Sequence, residues 1–187
     1  MVKVYEYKDY DEYVSIQTRE NKKKVSWVYA RETGIRGIVE DKGSADAVIC
    51  HGTRNGKEMA FFKQHWKNAE YVGTEISDNA HEFEYTVQWD MQEPNEEWIG
   101  KFDVLFSNAY DHVIKPEYTL QTWKDQLTEG GTMYLEYAEA QSIGNENDPL
   151  DATLQEVIDL VKAAGFKNVK CLDTVVAHNG KIIRGDK

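Results

Sequence analysis

The fold is decided by residues 46–58, DAVICHGTRNGKE, in which a short apolar run passes through a turn into a helical pattern. The turn carries two glycines, Gly52 and Gly56. Glycine lets the backbone approach a ligand closely, so that its N–H groups and a helix N-terminus can face the ligand. A turn of this kind between a strand and a helix predicts a ligand-binding loop.

Carboxylates follow at the ends of the next two predicted strands. Glu75 closes the pattern EYVGTE of residues 70–75, and Asp90 follows the strand pattern of residues 85–89. In folds with such a turn, a carboxylate about 20 residues further along the chain accepts hydrogen bonds from both ribose hydroxyls of a nucleotide. The glycine turn and the two acids together predict a pocket for an adenosine-containing cofactor.

Strand and helix patterns alternate from residue 46 onward, which predicts parallel strands joined by helical crossovers. After residue 166, two strand patterns flank Asn179-Gly180, a pair typical of a type I′ hairpin turn. The sequence therefore predicts an α/β fold, a three-layer Rossmann-like sheet that is mostly parallel and ends in an antiparallel C-terminal hairpin strand. The predicted strands are 47–50, 71–74, 85–89, 102–106, 132–137, 169–177 and 181–184, and the predicted helices in this part are 57–66, 116–127 and 152–164.

The first 45 residues have a different character. Tyr, Glu, Asp and Lys are mixed there without alternation, and helical spacing covers residues 9–19 and 26–39. We expect residues 1–45 to form an N-terminal helical lid or edge segment, and residues 46–187 to form the cofactor-binding domain. A chain of 187 residues fits one domain with a substantial core.

Composition and charge argue against several partners. The chain has 33 acidic and 22 basic residues and a net charge of −11, so its field repels phosphate backbones and anionic lipid headgroups. No apolar run approaches the roughly 20 residues of a membrane span, and no targeting segment is recognised. We therefore expect a cytoplasmic protein without nucleic-acid or membrane partners. The two cysteines form no metal-binding or disulfide pattern, and no carboxylate cluster requires a metal, so no metal ligand is predicted and metal dependence stays open.

Over residues 46–184, this order of motifs resembles the class I S-adenosylmethionine-dependent methyltransferases. In that family the first strand ends in an acidic residue and is followed by Gly-x-Gly-x-Gly. The first and last of these glycines correspond to Gly52 and Gly56, whereas Arg54 has the middle position and Cys50 has the position of the acid. Cys50 removes one anchor for the methionine ammonium. Arg54 either points outward or pairs with the cofactor carboxylate, and both remain open at this point.

The resemblance implies S-adenosylmethionine as the cofactor and implies roles for particular positions. Glu75 corresponds to the acid that binds the ribose, and Asp90 to the acid near the adenine amino group. Residues 103–112, DVLFSNAYDH, are similar to the family's segment that lines the methionine portion and the methyl group. The cofactor-binding residues implied in this way are Gly52, Thr53, Arg54, Gly56, Glu75, Ile76, Asp90, Met91 and Asn108.

Methyl transfer needs no protein nucleophile, but an acceptor hydroxyl or ammonium must lose its proton to a base. His112 and Asp111 follow the fourth predicted strand, at the carboxyl end of the sheet where ligands bind in such folds. We predict these two residues as catalytic, with His112 the better candidate because histidine titrates near neutral pH. A structural hydrogen bond is the alternative role for His112. The predicted acceptor is a soluble small molecule, such as a carbohydrate or another metabolite.

Two other functions remain open at the level of sequence. A non-catalytic binding or scaffold protein with the same fold is favoured by Cys50 and Arg54, which depart from the family's pattern. A nicotinamide-dependent oxidoreductase would place its ribose acid at the same position as Glu75. The turn lacks the Gly-x-Gly-x-x-Gly spacing of that second class, which argues against it.

Overall fold

The computed structural model describes residues 1–187 and has a seven-stranded sheet at its centre. The strands in chain order are β1 (Lys3–Val4), β2 (Ala47–His51), β3 (Glu70–Glu75), β4 (Thr86–Gln88), β5 (Phe102–Ser107), β6 (Leu127–Tyr137), β7 (Leu150–Asp151), β8 (Lys167–Cys171) and β9 (Lys181–Asp186). The helices are α1 (Tyr10–Lys23), α2 (Glu32–Lys42), α3 (Lys57–Lys63), α4 (Pro116–Gln126) and α5 (Leu154–Ala163). None of these helices has the length and apolar character needed to cross a membrane.

The order of strands across the sheet is β4-β3-β2-β5-β6-β9-β8. Strand β2 is parallel to both β3 and β5, while β9 runs antiparallel to its neighbours β6 and β8. The mostly parallel sheet with an antiparallel C-terminal strand is therefore confirmed. The chain moves outward from β2 to β3 and β4, then returns to β5 on the other side of β2. Ligands of open α/β sheets bind at such a switch point, outside the carboxyl ends of the strands.

Both faces of the sheet are covered by helices, which accounts for the continuous apolar run in β2. All residues of β2 are buried. Two apolar clusters, one on each face, form the core. Helices α2 and α3 pack on one face through Ile35, Ile38, Met59 and Phe62. Helices α4 and α5 pack on the other through Leu120, Trp123, Val157 and Val161.

The predicted type I′ turn at Asn179-Gly180 is wrong. That turn requires a positive φ at both central residues, but Gly180 has a φ of −69°. The positive φ values fall instead on His178 (51°) and Asn179 (53°). Strand β8 ends at Cys171, and residues 172–180 form a longer connection, from which Leu172 and Val176 pack in the same cluster as α2. Strands β8 and β9 still pair antiparallel, but a longer, partly buried connection joins them where a tight turn was predicted.

The N-terminal residues are helical, and their two helices have different positions. Helix α2 belongs to the core layer described above, whereas α1 lies across the carboxyl edge of the sheet. From α1, the Tyr13 hydroxyl donates a hydrogen bond to the His112 carbonyl over 3.1 Å, and the Gln17 amide donates to the Asn147 carbonyl over 3.0 Å. The division of the chain at residue 45 stays a prediction.

Candidate cofactor site

A pocket lies at the carboxyl edge of the sheet, between the residues that follow β2, β3 and β5 and the helix α1 that crosses this edge. It is at the switch point of the strand order. The pocket wall includes eight of the nine predicted cofactor-binding residues and one of the two predicted catalytic residues. These are Gly52, Thr53, Arg54, Glu75, Ile76, Asp90, Met91, Asn108 and His112.

Two predicted site residues lie outside this wall. Gly56 precedes α3 with a φ of 69°, and a Cβ atom there would lie 3.2 Å from the Met59 Cε and 3.4 Å from the Thr86 Oγ1. Gly56 is therefore needed for the packing of α3 against β4. Asp111 is buried beneath His112 at 8% exposure, and burial raises the pKa of its carboxyl to about 6.

Gly52 brings the turn after β2 close to the segment after β5. Its φ is +67°, and a Cβ atom on it would lie only 2.5 Å from the Cβ of Ala109. Glycine is the residue that adopts this left-handed conformation without strain. The close approach places the turn against both the pocket and the loop that carries Asn108.

Replacing Gly52 with alanine is expected to lower the free energy of unfolding by about 1–2 kcal/mol, from the left-handed backbone alone. The clash with Ala109 adds to this cost. Urea unfolding of the purified variant measures the change. Gly100→Ala is a suitable control, because Gly100 has a similar positive φ (64°) but would place its Cβ near no other atom. A Gly52 variant no less stable than the control would contradict the assigned contact with Ala109.

The sequence left open whether Arg54 points outward or faces the cofactor. In the structure, its side chain lies in the pocket wall and does not point outward. The backbone has a φ of 51°, so arginine keeps a left-handed conformation at the position of the family's middle glycine. The guanidinium carbon lies 4.9 Å from the centre of the Tyr29 ring, a cation–π contact. The Arg54 Nε is buried without a hydrogen-bond partner.

Glu75 connects the two loops at the base of the pocket. One carboxylate oxygen accepts a hydrogen bond from the Arg54 backbone N–H over 3.0 Å, and the other accepts from the Ser77 backbone N–H over 3.1 Å. The side chain is buried, and burial raises the pKa of the carboxyl. Each carboxylate oxygen can accept a further hydrogen bond, so Glu75 retains acceptor capacity for a ligand.

Asp90 is held by the segment after β4 and by α1. Its carboxylate accepts a hydrogen bond from the Gln92 backbone N–H over 2.9 Å and one from the Tyr10 hydroxyl over 2.8 Å. The neighbouring Trp89 also lines the pocket. The predicted adenine side of the pocket thus combines a carboxylate with an aromatic side chain, and Tyr10 of α1 contacts the carboxylate.

His112 lies between the pocket and two carboxylates. Its Nδ1 is 2.9 Å from the Asn147 carbonyl. A carbonyl can only accept, so Nδ1 carries a proton and donates it. Its Nε2 is 3.7 Å from an oxygen of Asp111 and 3.9 Å from an oxygen of Asp148. These three ligand-type atoms all lie within 4.8 Å of one another.

Several pocket residues were not predicted from the sequence, because nothing in their spacing relates them to the glycine turn. Most come from α1 and the segment that follows it. The clearest cases are Tyr13, Gln17, Asn21, Trp27 and Tyr29. Glu58 was also missed, although it ends the stretch that decides the fold. Whether its carboxylate faces the pocket depends on the direction in which α3 leaves the turn, which the sequence does not indicate.

Unpaired polar atoms are concentrated in the pocket wall. Both polar atoms of the Asn21 amide, the Thr53 Oγ1, the Arg54 Nε and the Glu58 Oε2 are buried without a hydrogen-bond partner. An unsatisfied buried polar group costs about 1–3 kcal/mol, so proteins rarely leave several together. The wall offers both donors and acceptors, including one cationic and one acidic side chain. This set fits a polar ligand that carries charges of both signs.

No protein-family model and no characterised protein sequence matches the chain. Solved structures match over nearly its whole length. One of them is the Burkholderia thailandensis 1,6-didemethyltoxoflavin-N1-methyltransferase, solved with bound 1,6-didemethyltoxoflavin and S-adenosylhomocysteine. Its TM-score is 0.73 and its sequence identity is 15%, and the match covers 97% of this chain and 92% of that chain. A Thermotoga maritima S-adenosylmethionine-dependent methyltransferase matches with a TM-score of 0.65 and a sequence identity of 14%. That match covers 96% of this chain and 100% of the other chain.

PigF, solved with S-adenosylhomocysteine, gives a TM-score of 0.65 at 16% identity and over 95% of this chain. The chain spans 59% of the length of PigF and 48% of the CurJ carbon methyltransferase. At these identities the comparisons establish the fold and nothing finer. The chain has the fold of the class I S-adenosylmethionine-dependent methyltransferases.

Proposed function

We propose that this protein transfers a methyl group from S-adenosylmethionine to a soluble small-molecule acceptor. The observation that carries the proposal is the convergence of the glycine turn, Glu75 and Asp90 on one pocket at the switch point of the sheet. The unpaired polar atoms of that pocket give independent support. Two of the similar structures contain S-adenosylhomocysteine, and one of these also contains a small-molecule acceptor.

The residues of the pocket fit the parts of this cofactor. Glu75 would accept hydrogen bonds from the ribose hydroxyls, Asp90 and Trp89 would bind the adenine, and Arg54 would face the carboxylate of the methionine portion. When bound, S-adenosylmethionine supplies a methyl group on a sulfonium, whose carbon–sulfur bond breaks as the bond from the acceptor to that carbon forms. The protein contributes chiefly by holding the acceptor at attack distance.

His112 is the proposed base. Its Nδ1–H donates to the Asn147 carbonyl, which fixes the tautomer and leaves the lone pair on Nε2 free to take the acceptor's proton. The resulting imidazolium lies 3.7 Å from Asp111 and 3.9 Å from Asp148, whose negative charges stabilise it. Asp111 thus acts through His112 and is proposed as a positioning and charge-stabilising residue.

Support for a small acceptor comes from the cover over the pocket and from charge. Tyr10 and Tyr13 of α1 bond to Asp90 and to the His112 carbonyl, so a helix lies across the site and limits the access of a macromolecule. The net charge of −11 disfavours nucleic acid as a substrate. A carbohydrate or another metabolite remains our preferred acceptor class.

The cofactor assignment is tested by thermal shift and calorimetry with S-adenosylhomocysteine and with NAD. We expect only S-adenosylhomocysteine to raise the melting temperature, because a ligand that binds the folded state alone stabilises it. Stabilisation by NAD alone would favour the oxidoreductase alternative. Binding of S-adenosylhomocysteine without methyl transfer to any of a broad panel of phenols, amines and sugars would favour the non-catalytic alternative.

Replacing Glu75 with alanine is expected to weaken the binding of S-adenosylhomocysteine by about 1–3 kcal/mol, or roughly 10- to 100-fold, because hydrogen bonds to a charged group are lost. Isothermal titration calorimetry measures the dissociation constant. Glu70→Ala is the matched control, since Glu70 begins the same strand but is exposed. An unchanged dissociation constant in the Glu75 variant would remove this residue from the site.

A further inference from the structure

The end of β2 lacks the acid that the resembling family uses to anchor the methionine ammonium. Cys50 has this position, is fully buried, and has a thiol pKa raised well above its ordinary value by burial. The thiol is therefore neutral and cannot balance a cation. Either the ammonium has no anionic partner in this protein or another side chain supplies one.

Glu58 lies in the first turn of α3 and reaches into the same part of the pocket wall. It is only 5% exposed, and its Oε2 is buried without a hydrogen-bond partner. Glu58 shares the pocket wall with Gly52 and Thr53 of the turn that follows the missing acid, and its charge contributes to raising the pKa of the Cys50 thiol. Arg54 and Asn108, both also in the pocket wall, are its other polar neighbours.

We propose that Glu58 replaces the missing strand acid and binds the ammonium of the cofactor's methionine portion, while Arg54 faces the carboxylate of that same portion. This inference rests on the proposed function, because it assigns a residue to a part of the proposed cofactor. The two side chains would present opposite charges to a zwitterion. One carboxylate oxygen of Glu58, Oε2, is buried in this pocket wall without a partner, and the ligand ammonium would supply one.

The physical reason is the cost of burying an unpaired charge. A carboxylate removed from water is destabilised unless a counter-charge or hydrogen bonds replace its hydration. Burial dominates the environment of Glu58 and raises its pKa to about 7, although Arg54 and Asn108 act to lower it. A ligand ammonium would supply the missing counter-charge, so its binding to the ionised carboxylate is favourable.

The test compares two ligands that share the nucleoside and the sulfur. S-adenosylhomocysteine carries the amino-acid portion, whereas 5′-methylthioadenosine has only a methyl group in its place. In the Glu58→Gln variant, calorimetry should show S-adenosylhomocysteine weakened by roughly 10- to 100-fold, the range for a lost charged hydrogen bond. The affinity for 5′-methylthioadenosine should be unchanged, which also shows that the variant is folded. Glu117→Gln makes the same change in the first turn of α4, where the side chain is exposed, and should alter neither affinity.

The outcomes separate this inference from the proposed function. If the wild-type protein binds neither ligand, the proposed function fails, and the role of Glu58 fails with it. If Glu75→Ala weakens both ligands but Glu58→Gln weakens neither, the cofactor assignment stands and the role of Glu58 is wrong. Equal weakening of both ligands by Glu58→Gln would likewise overturn it, because the effect would not depend on the ammonium.

A dependence on pH provides a second readout. The preference of the wild-type protein for S-adenosylhomocysteine over 5′-methylthioadenosine should decrease as pH falls below 7, because Glu58 takes up a proton. In Glu58→Gln the preference should be smaller and should not depend on pH in this range, because only the contact of Arg54 with the carboxylate remains. The other titratable groups facing Glu58 are Cys50, Arg54 and Glu136, and burial raises the pKa of Glu136 to about 7 as well. A preference that persists at low pH would contradict the proposed pairing.

Discussion

Alanine at position 112 is expected to lower kcat by about 10²- to 10⁴-fold, the contribution typical of a positioned general base. The affinity for S-adenosylhomocysteine should stay unchanged. The expected separation follows from the proposed roles, since His112 is assigned to the acceptor's proton, whereas Glu75 and Asp90 are assigned to the nucleoside. Loss of turnover without loss of cofactor binding is the result that distinguishes a base from a wall residue.

The measurement uses the acceptor that the wild-type protein methylates fastest, with release of S-adenosylhomocysteine as the readout. His65→Ala is the control, because His65 is exposed just beyond α3 and lies outside the pocket. Turnover of the His112 variant equal to that of the control would make the assignment of the base wrong. A fall in the affinity for S-adenosylhomocysteine would instead place His112 against the cofactor.

A chelator separates the proposed base from another role that the same geometry allows. His112, Asp111 and Asp148 place three ligand-type atoms within 4.8 Å of one another. If His112 acts as a base, EDTA should leave turnover unchanged, and Asp148→Asn should lower it by destabilising the imidazolium. Inactivation by EDTA that is reversed by Mg²⁺ or Mn²⁺ would show that the three side chains bind a cation, and the base role would be lost.

The sheet and the base of the site were predictable because their signals are local. An apolar run followed by glycines defines a strand, a turn and a helix within residues 46–58, and an acid at the end of the next strand needs only strand spacing to be found. Parallel strands place these ends at one edge, so Gly52, Glu75 and Asp90 had to be close once the strands paired. The actual strand bounds differ from the predicted ones by few residues, except that β6 begins earlier, at Leu127, and β8 ends earlier, at Cys171.

The remainder of the site depends on contacts between distant parts of the chain. Tyr10 reaches Asp90 from α1, and Asp148 reaches His112 from the segment before β7. Neither pairing has a fixed spacing in sequence, so no local pattern indicates it. The Asn179-Gly180 turn shows the opposite error. The Asn179-Gly180 pair is a strong local turn signal, but the turn does not form there. Burial of Val176 and Ala177 in the preceding connection stabilises the observed arrangement more than a tight turn would.

The role proposed for Glu58 has a consequence for stability. The Glu58→Gln variant without ligand is expected to be more stable than the wild type at pH 8, by roughly 3 kcal/mol, and equally stable below pH 4.5. Below its ordinary pKa of 4.5 the carboxyl is protonated in both the folded and the unfolded states, and glutamine then resembles it. Because burial raises the folded-state pKa to about 7, the wild type loses stability as pH rises from 4.5 through 7, and glutamine does not.

Urea unfolding at pH 4 and pH 8, without ligand, measures this difference, with Glu117→Gln as the exposed control. The wild type and the variant should both retain part of the pH dependence, because Glu136 and Asp111 have raised pKa values of about 7 and 6 and act with the same sign. A variant that gains no stability over the wild type at pH 8 would mean that Glu58 is not a buried, unpaired charge.

The gain should also reverse when ligand is added, since S-adenosylhomocysteine brings the ammonium and binding to the folded state alone adds stability. Ligand should therefore stabilise the wild type more than Glu58→Gln, as expected for a carboxylate that destabilises the empty protein and is paired only when the cofactor binds.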